Sequence, residues 1–491
     1  MKESYKEFFK GKNITQMGLG VLGRGVGDAE FLAECLPATT DTAQAGGANL
    51  LVTDLKSKEQ LNVSLERLKK FGNIKFVLGE HRLEDFSGKG DWKPDFILKS
   101  AGVPLDSPYI LEAKKNNIPI EMDASLFCKL LPDGVTTIGV TGTRGKSTTT
   151  HLIFHILNKF LEGGELKVGR EEKEEKKPKV FLGGNVRDMA TLPLIKEVSL
   201  GDYVVLELDS WQLQGFGDSK ISPNISVFTT FMEDHMNYYK NSMERYFADK
   251  ANIFKYQKEG DVFVMGEGME NSFKKYGKGL EIPQNTAVAK KADIKEGWKI
   301  QLLGEHNLLN ISCTVAVARA LKIDEEIIKK AVESFKPVSG RLEFLKEVNG
   351  VKIYNDNNAT TPIATIAGIE ALDSELQGKD GKLILIAGGA DKGLELKELV
   401  GVIEKKCKTV VLLPGTGTNR LISNFQFLIS NQDSIFNVSN LEEALDKAMS
   451  LVENGDIILF SPGFASFGPP PGGFANEYDR NDQFLKIVSE L

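Results

Sequence analysis

Short apolar runs alternate with helix-like segments along the whole chain, and this alternation is the feature that most restricts the fold. The apolar runs are ANLLVTDL (48–55), IKFVLGEH (74–81), DFILKSAGV (95–103), TTIGVTGT (136–143), YVVLELDS (203–210), ISVFTTF (225–231), KLILIAGG (382–389), TVVLLPG (409–415) and DIILFSPG (456–463). Buried strands of a parallel sheet have near-continuous apolar sequences, and helices connect them. The pattern therefore predicts an α/β fold built from parallel β/α units.

The chain has 491 residues, which is too long for one hydrophobic core, and the sequence offers two breaks. The first lies near Pro132–Gly134, and the second is the segment 335–340, which follows a helix expected near 306–334. We therefore expect three domains, at 1–135, 136–336 and 337–491. Within the second domain, the mixed charges of 169–179 predict a solvated loop rather than a binding arm.

Charge and composition argue against several classes of protein. The net charge of −7 argues against general nucleic-acid binding, which needs a basic surface. The sequence has no apolar stretch near the roughly 18 residues of a membrane span, and its first residues lack the apolar block of a signal peptide. The four cysteines have no C-x-x-C spacing, which indicates neither a disulfide framework nor a zinc site. We expect a cytoplasmic protein that neither binds nucleic acid nor inserts into a membrane.

A glycine-rich turn joins the run TTIGVTGT to a helix-like segment. Its residues, all candidates for nucleotide contacts, are Gly142, Thr143, Arg144, Gly145, Lys146, Ser147 and Thr148. In such a turn backbone N–H groups bind phosphate oxygens, the lysine neutralises β/γ charge and the serine hydroxyl holds Mg²⁺. Val140 stands where the general motif has a glycine, and the alternative is a glycine turn with a chance lysine. The turn predicts a nucleoside triphosphate without specifying the reaction.

A second glycine pattern, G-x-G-x-x-G at 18–23, lies near the start of the chain, with Asp54 at the end of a following strand. This is formally a dinucleotide fingerprint. The separation between the last glycine and Asp54 is longer than the usual gap of about 20 residues, which weakens that interpretation. Simple turn glycines are the alternative.

Taken together, these motifs resemble those of the Mur ligases, ATP-dependent enzymes that join amino acids to a UDP-muramoyl precursor of peptidoglycan. The motifs that carry the resemblance are GTRGKST (142–148), LGGN (182–185), LELDSWQL (206–213), DHM (234–236), DK (249–250), GEHNLLN (304–310), SGR (339–341), NDNNAT (355–360), GGADK (388–392) and SPGFAS (461–466). Their order and spacing are most similar to those of the D-glutamate-adding members. The resemblance implies a Rossmann-like N-terminal domain for the UDP substrate, a central P-loop domain for ATP and a Rossmann-like C-terminal domain for the amino acid.

The resemblance also implies the residues of the reacting centre. When a carboxylate attacks the γ-phosphate of ATP, metal ions and cations must screen the repulsion between the two anions. Ser147 and Glu207 are implied to hold a first Mg²⁺, and a carbamylated Lys250 to position a second one. His235 is implied to contact metal or substrate, and Asn185 to help place the first substrate. The alternatives are a strand-end carboxylate for Glu207, a surface ammonium for Lys250 and an ordinary histidine for His235.

Further nucleotide contacts are implied at four positions. Asn307 and Asn310 fall three residues apart on one helical face and would recognise adenine or ribose, with helix capping as the alternative. Arg341 and Asp356 would reach the nucleotide from the third domain, so that domain closure completes the site. A local salt bridge between these two residues is the alternative.

The two other substrates are assigned by resemblance as well. The UDP moiety is implied to lie near Val21, Leu22, Asp54, Leu55, Lys56 and Gly102, whereas Asn185 is implied to help place the first substrate. The amino acid is implied to contact Thr360, Lys392, Ser466 and Phe474, where cations and hydroxyls suit a dicarboxylate. Asn358 stands where the family usually has a lysine, which removes one positive charge from the expected glutamate pocket. Strand-end turn positions are the alternative for the third-domain residues.

The expected reaction is the ATP-dependent addition of D-glutamate to UDP-N-acetylmuramoyl-L-alanine through an acyl phosphate, in peptidoglycan synthesis and thereby in cell shape and division. The expected cofactors are ATP and two Mg²⁺ ions, and a monomer is expected. A ligase adding another amino acid is the nearest alternative. A nucleotide-binding oxidoreductase or binding protein built on the first domain is the alternative from a different class.

Overall fold

The computed structural model describes residues 4–20, 23–36, 49–163, 177–378, 380–428, 434–466 and 474–491. These residues form two compact units. One comprises residues 1–296 with 309–331, and the other comprises 297–308 with 332–491. Val21, Leu22 and most of the charged segment 169–179 lie outside the described residues.

The first sheet belongs to the first unit and has five parallel strands in the order β3-β2-β1-β4-β5. Its elements are α1 (Tyr5–Phe9), β1 (Ile14–Met17), α2 (Arg24–Cys35), β2 (Leu50–Asp54), α3 (Asn62–Leu68), β3 (Ile74–Leu78), a 3-10 helix (Leu83–Phe86), β4 (Phe96–Lys99), α4 (Pro108–Lys115), β5 (Ile120–Glu121) and α5 (Asp123–Leu130). Strands are added on one side of β1 up to β3 and on its other side from β4 onward, so the crevice of this switch point lies beyond the carboxyl ends of β1 and β4. This is the Rossmann-like arrangement that was predicted.

The second sheet, also in the first unit, has six parallel strands in the order β11-β10-β9-β6-β8-β7. The elements are β6 (Thr136–Thr141), α6 (Lys146–Glu162), β7 (Val180–Gly184), a 3-10 helix (Leu192–Lys196), β8 (Tyr203–Glu207), α7 (Gln212–Ser219), β9 (Ile225–Phe228), α8 (Met243–Ala251), β10 (Val262–Gly266), α9 (Met269–Tyr276), β11 (Thr286–Ala289), a 3-10 helix (Lys291–Asp293), α10 (Glu305–Ala320) and α11 (Glu325–Ser334). The single helix expected near 306–334 is thus two helices, α10 and α11. They are separated at Lys322, which has φ +58.

The third sheet belongs to the second unit and has the order β12-β13-β17-β14-β15-β16, with β12 antiparallel to β13 and the other pairs parallel. Its elements are β12 (Glu343–Val348), β13 (Val351–Asn355), α12 (Pro362–Leu376), β14 (Leu383–Ala387), α13 (Lys397–Lys406), β15 (Cys407–Leu412), α14 (Thr416–Leu428), β16 (Ile435–Asn437), α15 (Leu441–Met449), β17 (Ile457–Phe460) and α16 (Glu477–Glu490). The central strands are fully buried, as their apolar runs predicted.

One hydrophobic core extends through the first unit and joins its two sheets. Phe127 of α5 belongs to the same buried cluster as Leu206 of β8 and Phe216 of α7. Burying such side chains is the main contribution to stability, worth about 2 kcal/mol for each large one. The predicted domain limits at 135 and 336 stay predictions, because the first two sheets form one compact unit. In the described part of the chain, none of the helices has the length and apolarity that a membrane crossing requires.

Candidate active site

The phosphate loop lies between β6 and α6, as predicted. Gly145 is the N-cap of α6 and has φ +86, a conformation that side chains other than glycine rarely adopt. A Cβ atom at Gly145 would lie 2.1 Å from Oδ1 of Asn310 on α10. Glycine is therefore required at position 145 for two reasons, the backbone conformation and the close approach of Asn310. The fold brings Asn310 next to the loop, and its predicted contact with adenine or ribose stays a prediction.

The segment that follows β9 braces this loop. The N–H of Thr143 donates to the Thr230 carbonyl at 2.8 Å, and the N–H of Arg144 donates to Oγ1 of Thr230 at 2.9 Å. Oγ1 of Thr143 donates to the Met232 carbonyl and accepts from the Met232 N–H, both at 3.1 Å. These bonds hold the turn in place through contacts within the protein.

Two lysines meet at the start of the loop. Nζ of Lys146 donates to the carbonyls of Gly142 at 3.0 Å and Thr143 at 3.1 Å. Nζ of Lys250, on α8, donates to the same Gly142 carbonyl at 2.9 Å. Lys146 is partly exposed, whereas Lys250 has 1% of its surface exposed. The structure thus brings together two lysines that are far apart in the sequence.

The surroundings of Lys250 favour its neutral amine. Burial is the main reason that the pKa of Lys250 lies well below its ordinary value, and the charge of Lys146 lowers it further. Three carboxylates oppose this effect and belong to Asp209, Asp234 and Asp249. A neutral amine is the nucleophilic form of lysine, so this side chain is chemically suited to modification.

Glu207 ends β8 next to the phosphate loop. In the parallel pairing of β6 with β8 it lies opposite Val140, and in the pairing of β7 with β8 it lies opposite Gly184. The side chain is 5% exposed, and its Oε1 accepts a long hydrogen bond of 3.4 Å from Nδ2 of Asn185. Oδ1 of Asn185 in turn accepts a 2.6 Å hydrogen bond from Arg24 at the start of α2.

The donors around the loop suit a hard cation. Ser147 and Glu207 offer a hydroxyl and a carboxylate, and oxygen ligands are what Mg²⁺ prefers. Carboxylates and histidines alone do not form a cage, since no cluster of three or more His, Cys, Asp or Glu side chains suited to a metal occurs among the described residues. Mg²⁺ usually binds one or two protein carboxylates together with water and phosphate oxygens.

His235 lies on the exposed side of this region. It has φ +55, its side chain is 40% exposed, and its ring centroid lies 4.9 Å from that of Trp211. Nε2 of His235 lies 3.7 Å from a carboxylate oxygen of Asp234. Its predicted contact with metal or substrate stays a prediction. His151 on α6 hydrogen-bonds through Nδ1 to the Ser147 carbonyl at 2.8 Å.

Comparison with known proteins decides the family. Residues 140–318 match the model of the Mur ligase middle domain, and residues 340–464 match that of the Mur ligase glutamate ligase domain. A UDP-N-acetylmuramoylalanine--D-glutamate ligase of Roseiflexus sp. (strain RS-1) is 32% identical over 98% of this chain and 99% of its own length. This chain belongs to the Mur ligase family. The enzymes of the same printed name from Borreliella burgdorferi (31%) and Clostridium botulinum (32%) are also similar over nearly the full length.

Solved structures agree on the fold of this Mur ligase. The UDP-N-acetylmuramate-alanine ligase MurC of Thermotoga maritima covers 98% of the chain with a TM-score of 0.59 and 19% identity. The MurF ligase of T. maritima in complex with ADP covers 90% of it with a TM-score of 0.56 and 17% identity. The predictions of an ATP-dependent ligase of the D-glutamate-adding type and of its fold class are confirmed at this level.

In the first domain of this Mur ligase, Asp54 organises the glycine loop. Its carboxylate accepts the N–H groups of Leu19 at 2.8 Å, Gly20 at 2.9 Å and Lys56 at 2.9 Å. Burial raises the pKa of Asp54, but these backbone bonds outweigh it and hold the pKa below its ordinary value. A Cβ atom added at Gly102 would meet no atom of the described residues within 4 Å, its chain neighbours aside. The predicted UDP contacts of Asp54 and Gly102 stay predictions, and Val21 and Leu22 lie outside the described residues.

Lys99, which the sequence reasoning passed over, shapes the turn that contains Gly102. It ends β4 with 1% of its surface exposed, and its Nζ donates to the carbonyls of Ser100 (3.2 Å), Ala101 (3.3 Å) and Val103 (2.7 Å). Burial lowers the pKa of Lys99 to about 8. A lysine that directly ends an apolar strand is the sequence signal for such a role.

This pKa predicts how stability depends on pH. The value of about 8 lies below the ordinary 10.5, so between these limits the unfolded chain binds a proton that the folded protein has released. Rising pH therefore favours the folded state, by up to about 3 kcal/mol over the whole interval. Chemical denaturation at pH 7.5 and 10 should show the free energy of unfolding of wild type rising relative to Lys99→Met. A constant difference would contradict the assignment.

The second unit contains the remaining nucleotide candidates. Asp356 accepts the N–H of Leu342 at 3.1 Å and the hydroxyl of Ser461 at 3.0 Å. Arg341, the other nucleotide candidate of this region, directly precedes Leu342 in the sequence. Nδ2 of Asn307 donates at 2.8 Å to the carbonyl of Leu303, which precedes α10. The nucleotide contacts of Asn307, Arg341 and Asp356 stay predictions.

Of the four amino-acid candidates in this unit, two are in contact with each other. Nζ of Lys392 donates to Oγ1 of Thr360 at 3.1 Å, so these two lie together. Ser466 is 5% exposed, and its hydroxyl has no hydrogen-bond partner among the described residues. An unsatisfied buried hydroxyl is costly unless a ligand completes it. Phe474 instead packs against the hydrophobic cluster that contains Phe484.

A buried arginine contacts the residue next to Asn358, the position at which the family usually has a lysine. Arg480 on α16 is fully buried and donates to Oδ1 of Asn357 at 2.7 Å and to the Asn357 carbonyl at 2.9 Å. Nδ2 of Asn357 donates to Oδ1 of Asn358 at 3.3 Å. Burial lowers the pKa of Arg480 to about 10. The sequence reasoning missed Arg480, because a lone arginine in an amphipathic helix resembles a surface residue.

Proposed function

We propose that this Mur ligase forms the amide bond between UDP-N-acetylmuramoyl-L-alanine and D-glutamate at the expense of ATP. The substrate pair is the one in the printed names of the full-length relatives. The structural observation that carries the proposal is the meeting of Lys146 and Lys250 on the Gly142 carbonyl of a preformed phosphate loop. A triphosphate on this loop faces two amines, one partly exposed and one buried.

The reaction divides into two substitutions. A carboxylate oxygen of the alanyl group attacks the γ-phosphorus, the bond to the β-phosphate oxygen breaks, and ADP leaves. The neutral amine of D-glutamate then attacks the acyl carbon, and the tetrahedral intermediate collapses with loss of inorganic phosphate and a proton. Lys146 stabilises the charge that develops on the phosphoryl oxygens, and the loop N–H groups orient them.

We infer that Lys250 works as a carbamate. Its neutral amine adds to CO₂, forming an N–C bond and releasing one proton, and the product carries a carboxylate in place of an ammonium. The low pKa of the buried amine and its position at 2.9 Å from the loop support this. The carbamate would place an anion beside Lys146, so that attraction replaces the charge effect that lowers the pKa of Lys250.

Ser147, Glu207 and the Lys250 carbamate are the residues that would hold Mg²⁺, and their oxygen donors suit that ion. When bound, the metal supplies positive charge that screens the two anions. Thr360 and Lys392 would bind a carboxylate of D-glutamate, with the Ser466 hydroxyl as a further donor. The expectations of a monomer and of a cytoplasmic enzyme belong to the same proposal.

An amino-acid panel tests the proposed function. Purified protein is incubated with ATP, Mg²⁺ and UDP-N-acetylmuramoyl-L-alanine, and phosphate release is measured with D-glutamate, L-glutamate, glycine, L-lysine and diaminopimelate in turn. We expect release that needs the UDP substrate and is at least about tenfold faster with D-glutamate than with any other member. Preference for another amino acid would leave a ligase but overturn this specificity. Stabilisation of the fold by NADPH and not by ATP would overturn the ligase itself.

A further inference from the structure

Arg24 connects the first sheet to the carboxylate of the second. It is the first residue of α2, directly after the glycine pattern 18–23, and its NH1 donates to Oδ1 of Asn185 at 2.6 Å. The same amide turns its Nδ2 toward Oε1 of Glu207 at 3.4 Å. A chain of two hydrogen bonds therefore leads from α2 through Asn185 to Glu207.

Small residues on both sides of Arg24 permit this approach. A Cβ at Gly27 would lie 2.6 Å from the Cβ of Ala190, and one at Gly23 would lie 3.6 Å from Oδ1 of Asp188. The start of α2 is thus in close contact with the segment 185–190. Because a larger side chain at Gly27 would push the two layers apart, the contact between Arg24 and Asn185 depends on this packing.

The chemistry of the guanidinium fixes the orientation of the amide. An arginine has only donors, so the amide oxygen of Asn185 must face it and the amide N–H₂ must face Glu207. The reversed amide would place two oxygens against each other at Glu207. Among the described residues Arg24 forms no ion pair within 4.0 Å, and Asn185 is its one hydrogen-bond acceptor. The short, charge-assisted bond is therefore directed at Asn185.

Two nearby carboxyl groups lie within reach of the charge of Arg24. Burial, together with the charge of Asp123, raises the pKa of Asp28 well above its ordinary value, and the charge of Arg24 only partly opposes this. Burial also raises the pKa of Asp123. Both carboxyls are thus shifted toward their neutral forms, which attract a guanidinium less strongly.

We propose that Arg24 is a positioning residue for the Mg²⁺-binding carboxylate, acting through Asn185 to hold Glu207. The inference rests on the proposed role of Glu207 in the nucleotide site, and it is independent of which amino acid the enzyme adds. A residue that begins α2, beside the first sheet, would thus orient a carboxylate at the end of a strand in the second sheet.

Calorimetric titration of ADP into the full-length protein, with and without Mg²⁺, tests this inference. For Arg24→Gln we expect about tenfold weaker binding of ADP in the presence of Mg²⁺ and unchanged binding in its absence, because glutamine offers either end of its amide to Asn185. Arg24→Lys retains a donor-only cation and should recover most of the Mg²⁺ effect. Arg67→Gln is the matched control, since Arg67 lies in the same domain but pairs with Glu30 at the surface.

A double-mutant cycle separates positioning from general damage. If Arg24 acts through Asn185, Arg24→Gln should add nothing to the loss caused by Asn185→Ala. Additive losses, or equal losses with and without Mg²⁺, would overturn the inference. Arg24→Leu serves in the cycle should the glutamine variant fail to fold. If wild type itself binds ADP without any effect of Mg²⁺ yet passes the amino-acid panel, this inference is lost while the proposed function stands.

Discussion

Lys250→Ala is expected to lower kcat about 10³-fold, because it removes the anion that the carbamate would supply beside the phosphate loop. Lys250 is 1% exposed and donates at 2.9 Å to the Gly142 carbonyl, so alanine leaves a cavity and removes one of the two lysine donors to that carbonyl. Stopped assays of ADP formation under saturating substrates measure the loss. Lys255→Ala provides the control, since Lys255 follows on the same segment but is exposed.

Chemical rescue distinguishes the carbamate from a structural lysine. Formate, acetate or another short acid should enter the space left in Lys250→Ala, place a carboxylate there and restore part of the activity. Bicarbonate removal from wild type should lower activity, and its return should restore it. An alanine variant that keeps full activity would exclude the carbamate from the mechanism, and one that no acid rescues would favour a purely structural role.

Lys146→Ala is expected to lower kcat about 10²–10³-fold, since it removes the cation nearest to the transferred phosphoryl group. Its Nζ donates to two loop carbonyls, of Gly142 and Thr143, at 3.0 and 3.1 Å. With ATP present, we expect that amine to move from these carbonyls to the phosphate oxygens. The alanine variant should therefore lose more in kcat than in the affinity for ADP, which lacks the γ-phosphate.

A control on the same helix isolates this effect. Lys159 lies near the end of α6, is 45% exposed in its side chain and pairs with Glu162 at 2.8 Å. Lys159→Ala should leave both kcat and ADP affinity within about twofold of wild type, as exposed pairs contribute little. Equal losses in the two variants would mean that the helix, and not the phosphate contact, sets the rate.

The sequence by itself determined the local elements of this protein. The apolar runs at 50–54, 136–141, 203–207 and 457–460 are buried strands, because a continuous apolar stretch of this length is stable only inside a covered parallel sheet. The glycine turn at 142–145 is equally local, since its conformation demands glycine at Gly145. The motifs on these elements resemble those of the Mur ligases, and the full-length relatives confirm that the chain belongs to this family.

Tertiary structure alone decided which side chains meet. Lys250 reaches the Gly142 carbonyl across 108 residues, and Arg24 reaches Asn185 across 161 residues. The sequence gives no distance for such pairs, because they depend on strand order and on the packing of one layer against another. Burial likewise decided the pKa shifts, since excluding water lowers the pKa of lysines such as Lys99 and Lys250 from the value they would have at the surface.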